Sequence, residues 1–132
     1  MHCVPLTYTP KIEAVFSGKC CQTIRRGRKF RVGDTLILYE WSGRPYRSKW
    51  GRRFRVRVSA IQNVLFFADY VLFIGFYHAA SKRWGTAHMA GIAAADGIVP
   101  ATGPALRDVL RKLNGPDWQG EYQIVTWETI GD

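Results

Sequence analysis

Cys20 is the first residue in this chain whose type and surroundings suggest covalent chemistry. A thiol becomes a nucleophile when nearby positive charge favours its thiolate, and Cys20 follows Lys19 and precedes Arg25 and Arg26. No histidine lies close in sequence to act as its base, so a buried structural cysteine is the competing expectation. A second cluster implies a different chemistry. Residues 41–53 interleave Trp41, Tyr46 and Trp50 with Arg44, Arg47, Lys49, Arg52 and Arg53. Rings that stack on bases and cations that neutralise a backbone are what single-stranded or looped nucleic acid requires. Trp41, adjoining an apolar run, suits packing; Trp50, between Lys49 and Gly51, suits stacking.

The charge is concentrated around these two clusters. The 132 residues carry a formal +9 from 19 basic and 10 acidic side chains. Thirteen of the basic residues but only Asp34 and Glu40 of the acidic ones lie between positions 19 and 57, so that third of the chain carries +11 and the remainder −2. Ten of those thirteen are arginine, whose planar fork matches phosphate oxygens in pairs. The pattern is a footprint for a polyanion rather than a uniformly basic surface.

The elements that must position these residues follow from periodicity. Thr9-Pro10 starts a short helix with Ile12, Val15 and Phe16 on one face and Gly18 as its stop. Residues 22–25 are extended, and Val32-Gly33-Asp34 turns into an apolar strand at 35–39. Residues 41–53 read as a loop. Phe54, Val56 and Val58 alternate with Arg53, Arg55, Arg57 and Ser59, the period of a strand with one face inward and a row of arginines outward. The apolar run 64–77 implies one or two strands. Helices are expected at 86–95 and from Thr102 to Gly115, and a last strand at 122–130. The fold class is therefore α+β: one domain over 1–132, a small, mostly antiparallel β-barrel, closed or nearly so, decorated by two or three short helices.

Three cysteines, two of them adjacent, suit a reducing compartment rather than disulfides. No Cys or His spacing fits zinc, so neither a metal nor another cofactor is expected. The first seven residues lack the basic flank and apolar core of a secretion signal, and the longest apolar run, interrupted by Asp69, falls short of the ~20 residues of a membrane span. A cytoplasmic protein with no membrane partner is expected.

The segment Gly18-Lys19-Cys20-Cys21-Gln22-Thr23-Ile24-Arg25-Arg26, followed by Lys29-Phe30-Arg31-Val32-Gly33-Asp34, resembles the ASCH domain family of the PUA-like superfamily. The resemblance extends loosely over the whole chain. It implies a β-barrel whose cleft binds RNA or a modified nucleobase, in some relatives as an amidohydrolase of N(4)-acetylcytidine and in one as a ribonuclease. The amidohydrolase pattern has a catalytic lysine three residues before the threonine of Thr-Ile-Arg and a glutamate at the start of the late helical region, where this chain offers an aspartate. Here Thr23 matches the threonine. Cys20 occupies the lysine position, Lys19 stands one place earlier, and Asp96 aligns with the acid. On an extended segment a shift of one residue reverses the facing of a side chain, so Lys19 replaces the family lysine only if the backbone there is helical or bulged.

Two functions follow as expectations. The first is an RNA- or single-strand-binding module that receives a base or a modified base in a cleft at Lys19, Thr23 and Arg25. Arg26, Arg28, Lys29, Arg44, Tyr46, Arg47, Lys49, Trp50, Arg52, Arg53 and Arg55 complete its nucleic-acid contacts. The alternative is a hydrolase acting on a modified nucleoside or on RNA, with Thr23, Lys19, Cys20 and Asp96 as its candidate catalytic residues.

Overall fold

The computed structural model describes residues 2–27, 29–43, 48–75 and 78–130. Arg28, Arg44, Tyr46 and Arg47 lie outside the described residues. Among the described residues, seven strands and three helices follow one another as β1 (His2–Leu6), α1 (Thr9–Phe16), β2 (Gln22–Arg25), β3 (Thr35–Trp41), β4 (Trp50–Phe66), β5 (Tyr70–Ile74), β6 (Ala79–Arg83), α2 (Ala87–Ala95), α3 (Gly103–Asn114) and β7 (Gly120–Thr129).

The strands form one mixed sheet that curls into a half-barrel. Its main path runs β1-β3-β4-β5-β6, and β7 pairs with β4 on one side and β2 on the other. Among the described residues, only β1 and β3 run parallel; the other pairings are antiparallel. The 17-residue β4 makes the curl possible. Its first half pairs with β3, its second with β5, and a register shift between Val58 and Ala60 bends its ladder with β7. A bulge of this kind adds local twist, which turns a flat sheet toward a barrel.

The curl encloses two apolar clusters. One packs Val4, Leu6, Val15, Leu36, Leu38, Val56 and Val58 beneath α1. The other packs Val64, Phe66, Trp84, Met89, Leu106, Leu110 and Tyr122 beneath α2 and α3. Each fully buried Leu, Val or Phe contributes roughly 1.5–3 kcal/mol. Thr86 and Thr102 cap their helices as expected, accepting from the amides of Met89 and Ala105.

The segment read as a loop at 41–53 is shorter than that. Trp50, Gly51, Arg52 and Arg53 already belong to β4, with Trp41 paired to Trp50 and Tyr39 to Arg53. Cross-strand aromatic packing accounts for the difference: the Tyr39 and Trp50 rings stack with centroids 3.9 Å apart. Helix α1 begins one residue earlier than expected, with Tyr8 rather than Thr9 as its N-cap.

Candidate active site and basic face

Four polar or charged residues are buried among the described residues: Lys11, Gln22, Thr23 and Asp96. All four meet at one place. The Lys11 Nζ donates to Thr23 Oγ1 at 2.9 Å and to Asp96 Oδ1 at 2.8 Å. Arg25 adds a second cationic donor to the same hydroxyl, Nε to Oγ1 at 3.2 Å, and its Nη2 is anchored on the Pro5 carbonyl at 2.6 Å. Gln22 lies alongside, its Nε2 donating to the Ile92 carbonyl at 3.4 Å.

Each member is delivered by a local feature of the sequence. Lys11 lies one helical turn before Val15, so α1 turns both toward the interior. Thr23 sits in β2 opposite Val125 of β7 and is fully covered. Asp96 caps the C-terminus of α2, and Gly97 follows with φ +76°. A Cβ at Gly97 would stand 3.1 Å from the Lys11 Cα, so the absence of a side chain there lets the end of α2 settle against α1.

Burial sets the electrostatics. It pushes the Asp96 carboxyl above the usual carboxylate range, opposed by the Lys11 ammonium and more weakly by Arg25 and Gln22. It also raises the Cys20 thiol, again opposed by Lys11. Cys20 is enclosed, its Sγ donating to the Gln22 and Ala95 carbonyls at 3.3 and 3.2 Å. The structure thus gives Cys20 the character of a packed, protonated thiol rather than of an exposed thiolate.

The sequence-based candidates separate accordingly. Thr23, Arg25 and Asp96 converge. Lys19 is exposed in the turn after α1, and the ammonium at the centre of the cluster belongs to Lys11, which the sequence reading did not single out. The available signal was its i, i+4 relation to Val15 on the inward face of α1. A lysine beside an apolar stripe ordinarily snorkels to solvent, so the position attracts no notice until Asp96 arrives from the other end of the chain.

The cluster lies at a cleft of about 210 Å³. Pro5, Leu6, Thr7 and Tyr8 border it, β2 contributes Thr23 to Arg26, and Ile98 with the α3 side chains Leu106, Val109, Leu110 and Leu113 supplies an apolar wall. A larger open depression between Asp69–Tyr70 and Ser81–Arg83 contains no buried polar group.

The basic residues divide into those spent on the fold and those left facing solvent. Arg26 bonds the Asp117 and Gln119 carbonyls and the Tyr122 hydroxyl, and lies 5.0 Å over the Tyr122 ring. Arg52 reaches across to α1, pairing with Glu13 and Glu40 at 2.7 Å each. Lys29 is 3.5 Å from Glu121 at the surface. Trp50, stacked on Tyr39, is covered by Arg53 at 5.1 Å. Lys49 is exposed. Arg53, Arg55 and Arg57 project from the outer face of β4 while Val56 and Val58 are buried, as the alternation predicts. Among the described residues, no salt bridge holds these three.

Among the described residues no three His, Cys, Asp or Glu side chains gather as metal ligands, and no helix is long and apolar enough to cross a membrane. No protein-family model, curated protein or solved structure matches the chain.

Proposed function

We propose that the chain is a hydrolase of the ASCH, PUA-like kind that cleaves an amide bond to a nucleobase-like amine, with Lys11 in the role of the family lysine. The observation that carries this reading is the contact of Lys11 Nζ with both Thr23 Oγ1 and Asp96 Oδ1 at the cleft. Burying a charge is costly unless it is paired, and the described part of the chain concentrates its buried polar groups here. Strongly perturbed titratable groups in a cleft are the usual signature of chemistry.

The reaction follows from the geometry. Burial raises the affinity of Asp96 for a proton, so Asp96 Oδ1, 2.8 Å from Lys11 Nζ, can take one from the ammonium as that nitrogen receives another and return it when Lys11 gives one up. The Thr23 oxygen attacks the substrate carbonyl carbon, forming a C–O bond as its proton passes to Lys11 Nζ. Arg25, whose Nε lies 3.2 Å from Thr23 Oγ1, stands beside the reacting atoms to stabilise the negative charge that passes to the substrate's carbonyl oxygen. Collapse breaks the C–N bond, and Lys11 returns the proton to the departing amine. Water then attacks the acyl-threonine ester and gives a proton to Lys11; the bond from the acyl carbon to Thr23 Oγ1 breaks, Lys11 passes that proton to the departing oxygen, and the carboxylic acid is released with the Thr23 hydroxyl restored.

The direct test is incubation of purified protein with N(4)-acetylcytidine and measurement of released acetate. Turnover that disappears in both Thr23→Ala and Lys11→Met supports the reading; turnover unchanged in Thr23→Ala defeats it.

The exposed arginine row favours a second, compatible function, binding of RNA or another single strand on the outer face of β4. Each neutralised phosphate releases counterions, so affinity would fall steeply with salt. Replacing Arg55 and Arg57 together by Ala would reduce the slope of log affinity against log salt by roughly 0.7 per lost single-strand contact. No binding to RNA oligomers at ~50 mM salt, where backbone contacts are strong, would eliminate it.

A further inference from the structure

The cleft is chemically divided, and the division points to the substrate. Near Thr23 its lining is polar, with Lys11, Arg25 and Asp96. The wall formed by Ile98, Leu106, Val109, Leu110 and Leu113 is wholly aliphatic. The neighbouring amide, Asn114, directs its Nδ2 to the Leu110 carbonyl at 2.9 Å. A base edge read by hydrogen bonds would meet no donor or acceptor along those five side chains. The wall also continues to the surface: Leu113 is 56% exposed, and Val99, 68% exposed, has its backbone tied to the Tyr8 hydroxyl at the cleft border.

Size narrows the choice. At about 210 Å³ the cleft exceeds the ~150 Å³ of an apolar cavity that holds benzene, yet falls below the ~300–1,000 Å³ of pockets that enclose a whole drug-sized ligand. It admits one ring-sized group, with the rest of the substrate outside.

Resting on the hydrolase reading, we propose that this group is the acyl portion of the substrate, and that it is apolar and larger than acetyl: a linear or branched chain of four to six carbons, or an aromatic ring. The amine portion then lies toward Arg25, Thr7 and Tyr8, whose side chains carry polar groups at the opposite border of the cleft. An acetyl group would leave most of the aliphatic wall uncovered.

The experiment uses cytidine acylated on N4 with acetyl, butyryl, hexanoyl and benzoyl groups. Binding to Thr23→Ala is measured calorimetrically, and kcat/KM for the same series is measured on the unmodified chain. If Thr23→Ala does not fold, as judged by circular dichroism, the ketone analogues that cannot be cleaved are titrated into the unmodified chain instead. The expected result is an affinity gain of about fourfold per added methylene through the chain lengths that the wall covers. Leu113→Asp, at an exposed position, should flatten the dependence for the longer acyl groups, because that side chain at the rim carries the outer part of the contact. Affinity that is flat or falls with acyl size, or no binding across the series, overturns the proposal. The two readings fail separately. Rising affinity without cleavage keeps the acyl pocket and removes the hydrolase, whereas cleavage with acetyl preferred keeps the hydrolase and removes the acyl pocket.

Discussion

Lys11 Nζ lies 2.8 Å from Asp96 Oδ1, an ion pair closed across 85 residues of sequence, and both side chains are at least nine-tenths covered. It joins α1 to the end of α2 and places the ammonium against Thr23.

Removing one partner of this pair should cost far more than removing both. Lys11→Met leaves an unpaired carboxyl in the interior, and losses of about 3–5 kcal/mol are typical of such half-broken pairs. The double variant Lys11→Met/Asp96→Leu should recover most of that loss while remaining inactive. Urea unfolding of the two single variants and the double checks the coupling; additive losses would show that the pair contributes no interaction of its own.

Asp96 should make folding less favourable as pH rises through the weakly acidic range. Its folded carboxyl binds a proton more tightly than the unfolded one, so the folded chain holds more protons from the ordinary carboxylate value up to the raised one. Stability then falls with rising pH across that window. The excess stability of the unmodified chain over Asp96→Asn should accordingly be largest near pH ~4 and shrink toward neutrality. Denaturation midpoints of both proteins between those limits measure it, and a gap that widens with pH would contradict the sign.

Gly97→Ala should be more damaging than Gly18→Ala although the two glycines have φ of +76° and +82°. Both substitutions place a side chain in the left-handed region at a cost of roughly 1–2 kcal/mol. Only at Gly97 does the new Cβ crowd another element, 3.1 Å from the Lys11 Cα. The difference in thermal midpoint isolates that contact. A matching loss of amide hydrolysis in Gly97→Ala alone would tie the close approach of α1 and α2 to the site.

Alkylation should distinguish Cys20 from the other thiols. Cys3 and Cys21 are exposed, whereas Cys20 is buried with its thiol held above its ordinary value. Iodoacetamide at pH ~8, near an ordinary cysteine pKa, should label Cys3 and Cys21 in the folded chain and reach Cys20 only on unfolding. Mass spectrometry after a timed pulse measures this, and Cys20 reacting first would restore it as a nucleophile.

Much of the fold was readable from local pattern. The alternation at 53–59, the caps at Thr86 and Thr102, and the apolar strand after Gly33 depend on nearest neighbours in sequence, and each appears in the structure. The full length of β4 was not readable, because the shift between Val58 and Ala60 interrupts the period of two. Nor was β6, whose five residues are all exposed and show no apolar alternation. At the site, Thr23, Arg25 and Asp96 were within reach of motif resemblance, while Lys11 and the enclosure of Cys20 were not.

The sequence by itself determined where the positive charge is concentrated, which strand turns its arginines outward, and which helices begin where. Periodicity, capping and charge count are properties of residues close together in the chain. Tertiary structure alone decided which lysine serves the threonine and which arginines remain available. Arg26 and Arg52 are cations in the sequence and structural ties in the fold, because carbonyls and carboxylates brought from distant elements take up their donors. Lys11, by contrast, became the centre of the candidate site when Gly97 allowed Asp96 to approach it. A buried charge acquires its role from the partner that reaches it, and that partner is selected by packing rather than by proximity in sequence.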